Sequence, residues 1–133
     1  MVRFLTELSV SPIGPQAWRV NGDLLCETPY GRIGVPVGFV TDGASVPRPV
    51  WFLYPPMGGD YDAAAVLHDY AYRNAGALGL NRGQADRLLK DGMVATGTAA
   101  WKRRAIYVSV RTGGWVAWRR ARQAERRQTA GVK

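Results

Sequence analysis

The sequence predicts an α+β domain, with a small N-terminal antiparallel β-meander followed by a helix pair bearing His-Asp and a basic C-terminal helix. Two patterns predict this order. Apolar and polar residues mostly alternate near the N-terminus, whereas from Asp60 onward apolar residues recur at helical spacing. The 133 residues suit one domain with its own core. We predict a single domain over 1–114 and a basic, helical and partly disordered tail over 115–133.

The first predicted strand covers about residues 2–10, where apolar residues mostly share one parity. A hairpin is expected next. Asn21-Gly22 separates the apolar runs 18–20 and 24–26, and Asn-Gly between two such runs is the strongest short hairpin signal.

A second turn is predicted at Thr28–Gly31, followed by a strand over Ile33–Thr41. Pro36 lacks a backbone N–H, so this strand is expected at a sheet edge or a bulge. Residues 42–59 contain four prolines and predict a loop-rich segment.

Helices are predicted for the rest of the chain. The first covers Asp60–Asn74, with alanines in its middle and acidic residues in its first turn. Asn81 is a candidate N-cap for a second helix that ends near Ala95. A third helical stretch begins near Ala99, and Gly113-Gly114 is expected to kink or break it.

The excess of positive charge lies entirely in the C-terminal segment. The net charge is −1 over residues 1–100 and +9 over residues 101–133. This segment is expected to contact an anionic membrane surface, a nucleic acid or another protein, unless it is only a solvated helical end. The candidate contact residues are Trp101, Lys102, Arg103, Arg104, Trp115, Trp118, Arg119 and Arg120.

Several classes of protein are excluded or disfavoured. Cys26 is the one cysteine, so an intrachain disulfide is impossible. No run of about 18 apolar residues occurs, so no transmembrane helix is predicted. The N-terminus lacks the apolar run of a signal peptide.

The residues best suited to chemistry lie on the predicted helix pair. His68 is the only histidine, and Tyr72 follows one helical turn later on the same face. On a helix, Asp69 is rotated from His68 by about 100°, so its side chain is expected to point in another direction. Because a short connection makes the two helices antiparallel neighbours, Asp86 is expected to face His68. A purely structural His68 is the alternative.

The run Ala64-Ala65, His68-Asp69, Ala71-Tyr72 and Ala85-Asp86 resembles the catalytic helix pair of phospholipase A2, particularly the parvovirus capsid type. The resemblance implies that His68 is the general base that activates water. It further implies that Asp86 fixes the tautomer of His68 and that Tyr72 steadies Asp86.

The same resemblance implies a calcium ion held partly by Asp69 and by backbone carbonyls. Asp42 is a second candidate ligand, delivered by its loop to the His68 site, although Asp42-Gly43 could also be a plain turn. Asp69 could instead form a surface ion pair with Arg73. The chain departs from the phospholipase pattern at Tyr54–Gly59, which is proline-rich and closer to the helix than the calcium loop of the secreted enzymes.

A second resemblance covers roughly residues 37–114. The chain is similar to a phage and prophage family known as domain of unknown function 1353, which implies a tailed bacteriophage or an integrated prophage. With no signal peptide or transmembrane helix predicted, the resemblance implies a location in a virion or in a host cytoplasm. The matching residues are Phe39–Arg48, Trp51, Pro55, Gly58, Tyr61, Ala64, His68-Asp69, Tyr72, Arg82, Ala85-Asp86 and Val110-Arg111.

Three functions follow as expectations. The first is a metal-assisted ester hydrolase of the phospholipase A2 type, acting at a membrane while a phage enters or lyses its host. The second is a non-enzymatic virion component, such as a tail or baseplate protein, that keeps the helix pair as scaffold. The third is an accessory protein that binds nucleic acid through its tail.

Overall fold

The computed structural model describes residues 1–15, 17–41 and 61–131 and confirms the α+β fold. Within these residues the strands come first: β1 (Arg3–Phe4), β2 (Val10–Gly14), β3 (Ala17–Val20), β4 (Leu24–Thr28), β5 (Gly31–Val35) and β6 (Val40–Thr41). The helices follow: α1 (Asp62–Arg73), α2 (Ala75–Leu78), α3 (Arg82–Ala95), α4 (Ala100–Gly113) and α5 (Trp115–Gly131).

The described strands form two three-stranded antiparallel sheets, in the orders β1-β4-β5 and β2-β3-β6. The predicted hairpin at Asn21-Gly22 is therefore wrong, because its flanking strands β3 and β4 belong to different sheets. The Asn21 backbone N–H donates to Ser9 O at 2.8 Å, and its side-chain amide donates to the hydroxyls of Ser9 and Ser11. Asn21 thus extends the pairing of β3 with β2 instead of turning the chain back.

The second predicted turn is confirmed. Thr28 Oγ1 donates to Gly31 O at 2.7 Å between β4 and β5, and Gly31 takes a φ of +108° that favours glycine. The strand expected over Ile33–Thr41 is divided, because β5 ends before Pro36 and the chain then crosses to the other sheet as β6. Phe39 N–H donates to Pro36 O at 3.1 Å across this crossing.

Helices α1 and α3 pack closely and antiparallel. Near one end, a Cβ at Gly92 would lie 2.8 Å from Ala64 Cβ, so only glycine fits there. At the other end of the contact, His68 and Tyr72 both reach Asp86. Asn81 is the N-cap of α3, as predicted, and forms a capping box with Gln84.

The core lies between the sheets and the helices, and a second cluster lies among α1, α3 and α4. Strands and helices both contribute to the first cluster, whose fully buried members include Leu24, Val35, Leu67 and Leu88. The second contains Tyr61, Ala64, Ala65, Leu89, Met93, Ile106 and Val110. Helix α4 is therefore part of the packed structure.

The basic helix α5 packs on α1 and α2 through its inner face. Trp118 meets Tyr72 edge to face, with ring centroids 5.1 Å apart. The Glu125 carboxylate accepts hydrogen bonds from the backbone N–H groups of Gly76 and Ala77 at 2.9 and 3.0 Å. The division of the chain at residue 114 stays a prediction. Across the described ranges, no helix combines the length and apolar character needed to cross a membrane.

Candidate active site

His68 and Asp86 form a buried hydrogen-bonded pair. The His68 Nε2 atom lies 2.8 Å from Asp86 Oδ1, and the Asp86 side chain is 0% exposed. Helix α1 supplies the histidine and α3 the aspartate, so the close antiparallel packing of these two helices sets the distance between them. Asp86 therefore faces His68, as expected from the sequence.

Two further side chains donate hydrogen bonds to Asp86. Tyr72 OH donates to Oδ1, and Arg111 Nη1 donates to Oδ2 at 2.6 Å. Arg82 Nε lies 3.8 Å from the same Oδ2. Asp86 thus connects α1, α3 and α4, and both of its oxygens are engaged by donors.

The Asp86 carboxyl is ionised at neutral pH. Burial alone would raise its pKa, but hydrogen bonds from His68, Tyr72 and Arg111 outweigh burial and hold the pKa below its ordinary value. Burial, together with the hydrogen bond to Asp86, raises the pKa of Tyr72 above its usual range, so the phenol keeps its proton and donates. Asp86 is therefore a fixed anion beside His68.

The neighbouring anion determines the tautomer of a neutral His68 ring. A carboxylate only accepts hydrogen bonds, so the proton of the ring resides on Nε2. None of the described residues forms a hydrogen bond with Nδ1, whose lone pair is available. This is the arrangement that a histidine needs to take a proton from water.

Arg82 and Gly114 hold the surroundings of Asp86 in place. Arg82 Nη2 donates to the carbonyls of Val110 and Arg111 at 2.9 and 2.6 Å, which anchors the last turn of α4. A Cβ at Gly114 would lie 3.1 Å from Tyr72 OH and closer still to Val110 O. The glycine therefore allows the end of α4 to approach the Tyr72 hydroxyl.

His68 lines a groove of about 720 Å³ between α1, α5 and the end of β5. Its volume is in the range of small-molecule sites, about 300–1,000 Å³. The described lining residues are Pro36, Phe39, His68, Asp69, Tyr70, Tyr72, Arg73, Asn74, Ala117, Arg120, Ala121, Ala124, Glu125 and Gln128. A ligand in this groove would lie beside the His68 ring.

The surroundings of Asp69 do not fit a calcium site. Its carboxylate accepts a hydrogen bond from Thr41 Oγ1 at 2.8 Å and pairs with Arg73 Nε at 3.0 Å. An arginine at that distance competes with a cation, and no three His, Cys, Asp or Glu side chains of the described residues cluster to hold a metal ion. The second candidate ligand, Asp42, lies outside the described residues. Calcium binding stays a prediction and enters no step below.

The candidate anion-binding residues are either exposed or half-buried. Trp101 and Trp115 are 62% and 52% exposed, and Arg104, Arg119 and Arg120 are exposed as well. Lys102, Arg103 and Trp118 are half-buried. Lys102 lies over the Tyr61 ring, Arg103 donates to Thr98 O, and Trp118 packs on Tyr72.

The roles of Arg82, Arg111 and Glu125 were not predicted from the sequence. Arg82 and Arg111 were among the residues that carried the resemblance to the phage family, and that was the available signal. Glu125 is the one acidic residue between positions 101 and 133. A single carboxylate in such a basic helix indicates a specific partner, which proves to be Arg122 together with the start of α2.

Comparison with known proteins identifies the family. The profile of a family described as "Protein of unknown function (DUF1353)" matches residues 18–110, which is most of the chain. Searches of curated proteins and of solved structures find no significant match. The matched range includes both helices of the His68–Asp86 pair and α4 as far as Val110, whose carbonyl accepts a hydrogen bond from Arg82. The chain therefore belongs to the DUF1353 family.

Proposed function

We propose that this protein is a hydrolase in which His68 activates water to cleave an ester of a phospholipid at a membrane. One observation carries the proposal: the ionised Asp86 holds Nε2 of His68, while Nδ1 has no partner among the described residues and the ring lines a groove. The sequence resemblance to the phospholipase A2 helix pair supports the ester as substrate. A bacteriophage or prophage setting, during entry into the host or lysis, is part of the same proposal.

The reaction needs one proton acceptor and one fixed anion. His68 Nδ1 takes a proton from water as the water oxygen bonds to the ester carbonyl carbon. The electron pair that this addition displaces onto the carbonyl oxygen then reforms the C=O double bond. The bond from the carbon to the leaving alcohol oxygen breaks at the same time, and the alcohol oxygen receives the proton from Nδ1. Asp86 stabilises the imidazolium between these two steps without accepting a proton.

Action at a membrane is supported by the surface of α4 and α5. The exposed Trp101 and Trp115 accompany arginines that have no carboxylate partner among the described residues, including Arg104, Arg119 and Arg127. Tryptophan and arginine together suit the interface of a bilayer with anionic headgroups. The protein would then bind the surface that contains its substrate.

A direct test is the release of fatty acid from phosphatidylglycerol vesicles, with and without calcium. We expect the wild-type protein to release fatty acid, and the His68→Gln variant, which cannot take the proton, to release none. Arg87→Gln is the control, because Arg87 is exposed on α3 and forms only a surface pair with Asp91. If the wild-type protein cleaves no ester lipid in either condition, or if His68→Gln cleaves at the wild-type rate, the proposal is wrong.

A second candidate function is a non-enzymatic phage virion protein, such as a tail or baseplate component. The observation that favours it is the complete burial of Asp86, whose donors come from α1 and α4. A buried network of this kind can serve as scaffold alone. Under this alternative, wild-type protein has no hydrolase activity, and phage particles assembled with His68→Gln protein remain infectious.

A further inference from the structure

The charged groups that line the groove are almost all neutralised by partners. Asp69 pairs with Arg73, whose Nη1 also donates to Val40 O at 2.9 Å. Glu125 pairs with Arg122 and accepts two backbone hydrogen bonds at the start of α2. These pairs offer no excess charge to a ligand.

Arg120 is the exception among the described lining residues. Arg120 lines the groove from α5, and its guanidinium has no carboxylate partner in the part of the chain that the structure describes. The preceding residue, Arg119, does not line the groove and lies over the Trp115 ring, with its guanidinium carbon 5.6 Å from the ring centroid. Two consecutive arginines of one helix thus have different surroundings.

We propose that Arg120 is the anion-binding residue of the groove and that the groove takes a ligand with a phosphate group. A guanidinium donates two parallel hydrogen bonds to a phosphate or carboxylate, which makes arginine the residue best suited to such a group. The proposal deepens the proposed hydrolase, on which it rests for the assignment of the groove as the substrate site.

The uncharged part of the lining fits the remainder of a phospholipid. Phe39 and Tyr70 meet edge to face, with ring centroids 5.2 Å apart, and Ala117, Ala121 and Ala124 form the facing side of α5. Aromatic and alkyl side chains of this kind commonly line small-molecule sites. Arg120 would bind the phosphate while the apolar walls bind the acyl chains.

Calorimetry with a short-chain, ether-linked phosphatidate tests this directly on the wild-type protein. The ether lipid has no ester to cleave, so binding is measured whether or not the protein is a hydrolase. The same ether lipid without its phosphate is the matched neutral ligand, and inorganic phosphate is the third. All are used as monomers in solution, which separates the groove from membrane binding.

We expect Arg120→Gln to weaken binding of the phosphatidate about tenfold, the loss typical of a charge-assisted hydrogen bond. Binding of the neutral lipid should not change. Arg119→Gln is the control with the same loss of charge and should bind like wild type. Inorganic phosphate is the remaining comparison. If it binds as tightly as the phosphatidate, and if this binding also requires Arg120, the anion site is supported and its ligand is free phosphate.

Equal losses in Arg119→Gln and Arg120→Gln would overturn the proposal, because they would reflect net charge alone. Wild-type affinity in Arg120→Gln would overturn it as well. If the protein binds the phosphatidate through Arg120 but cleaves no ester, the proposed anion site stands and only the proposed hydrolase function is wrong. The two proposals can therefore fail separately.

Discussion

His68 Nε2 and Asp86 Oδ1 lie 2.8 Å apart across the α1–α3 contact, and Asp86 has no exposed surface. Because Tyr72 and Arg111 also donate to Asp86, the histidine faces an anion that cannot move away. This relationship leads to expectations for stability, acid sensitivity, membrane binding and the protonation of His68.

Asp86→Asn is expected to destabilise the fold by about 3 kcal/mol, because it removes the anion that buried donors require. Asp91→Asn is the matched control on the same helix. Like Asp86, Asp91 has an arginine four residues earlier, but its ion pairs lie at the surface. We expect a loss of about 0–1 kcal/mol for the control. Urea denaturation measures both, and equal losses would contradict the role given to Asp86.

The helix pair could be predicted from the sequence because its signals are local. Alanine content and the Asn81 cap mark the helices, and a short connection makes them neighbours. His68 and Asp86 were brought together by this reasoning alone. The phospholipase resemblance then supplied their roles, and the position of Tyr72 beside Asp86 agrees with it.

The sheets could not be predicted in the same way, because strand pairing depends on distant contacts. Asn21-Gly22 is a strong local signal for a hairpin turn. Asn21 nevertheless forms hydrogen bonds with Ser9 and Ser11, and the chain passes from one sheet to the other at this point. The contact between Arg111 and Asp86 could not be predicted for the same reason. Arg111 reaches Asp86 from 25 positions away, and only the packing of α4 on α3 places it there.

Acid is expected to destabilise the protein through Asp86 and Glu125. Burial would raise the pKa of Glu125, but hydrogen bonds from Gly76, Ala77 and Arg122 hold it below its ordinary value. Both carboxyls thus have lowered folded-state pKa values. Their stabilisation is present above the unfolded-state pKa of about 4 and is lost as the pH falls through the folded-state values.

Urea midpoints measured from neutral to acidic pH test this expectation. Glu125→Gln should flatten the dependence on acid, because one of the two groups no longer titrates. The exposed Glu7 provides the control, since Glu7→Gln should leave the wild-type dependence in place. A Glu125→Gln protein with the full wild-type loss of stability in acid would show that Glu125 does not contribute.

Membrane binding is expected to depend on the outward arginines of α5. Replacing Arg119, Arg126 and Arg127 by Gln should weaken binding to phosphatidylglycerol vesicles by about 1 kcal/mol for each residue. Substitutions are used because removing the residues after Ala100 would also remove α4, which contributes Ile106 and Val110 to the core.

Vesicle sedimentation at several salt concentrations measures this effect. Replacing Arg3, Arg32 and Arg87 by Gln removes the same charge elsewhere and should leave vesicle binding near the wild-type level. If the protein binds duplex DNA but not anionic vesicles, the membrane assignment is wrong and the basic surface belongs to nucleic acid.

The proposed chemistry depends most directly on which nitrogen of His68 carries the proton. Since His68 is the one histidine in the chain, ¹⁵N NMR of histidine-labelled protein reports this ring alone. At a pH where the ring is neutral, we predict the proton on Nε2, beside Asp86, and an unprotonated Nδ1 that can accept a proton from water. A neutral ring protonated on Nδ1 would contradict the account, because the nitrogen assigned to water would have no lone pair to offer.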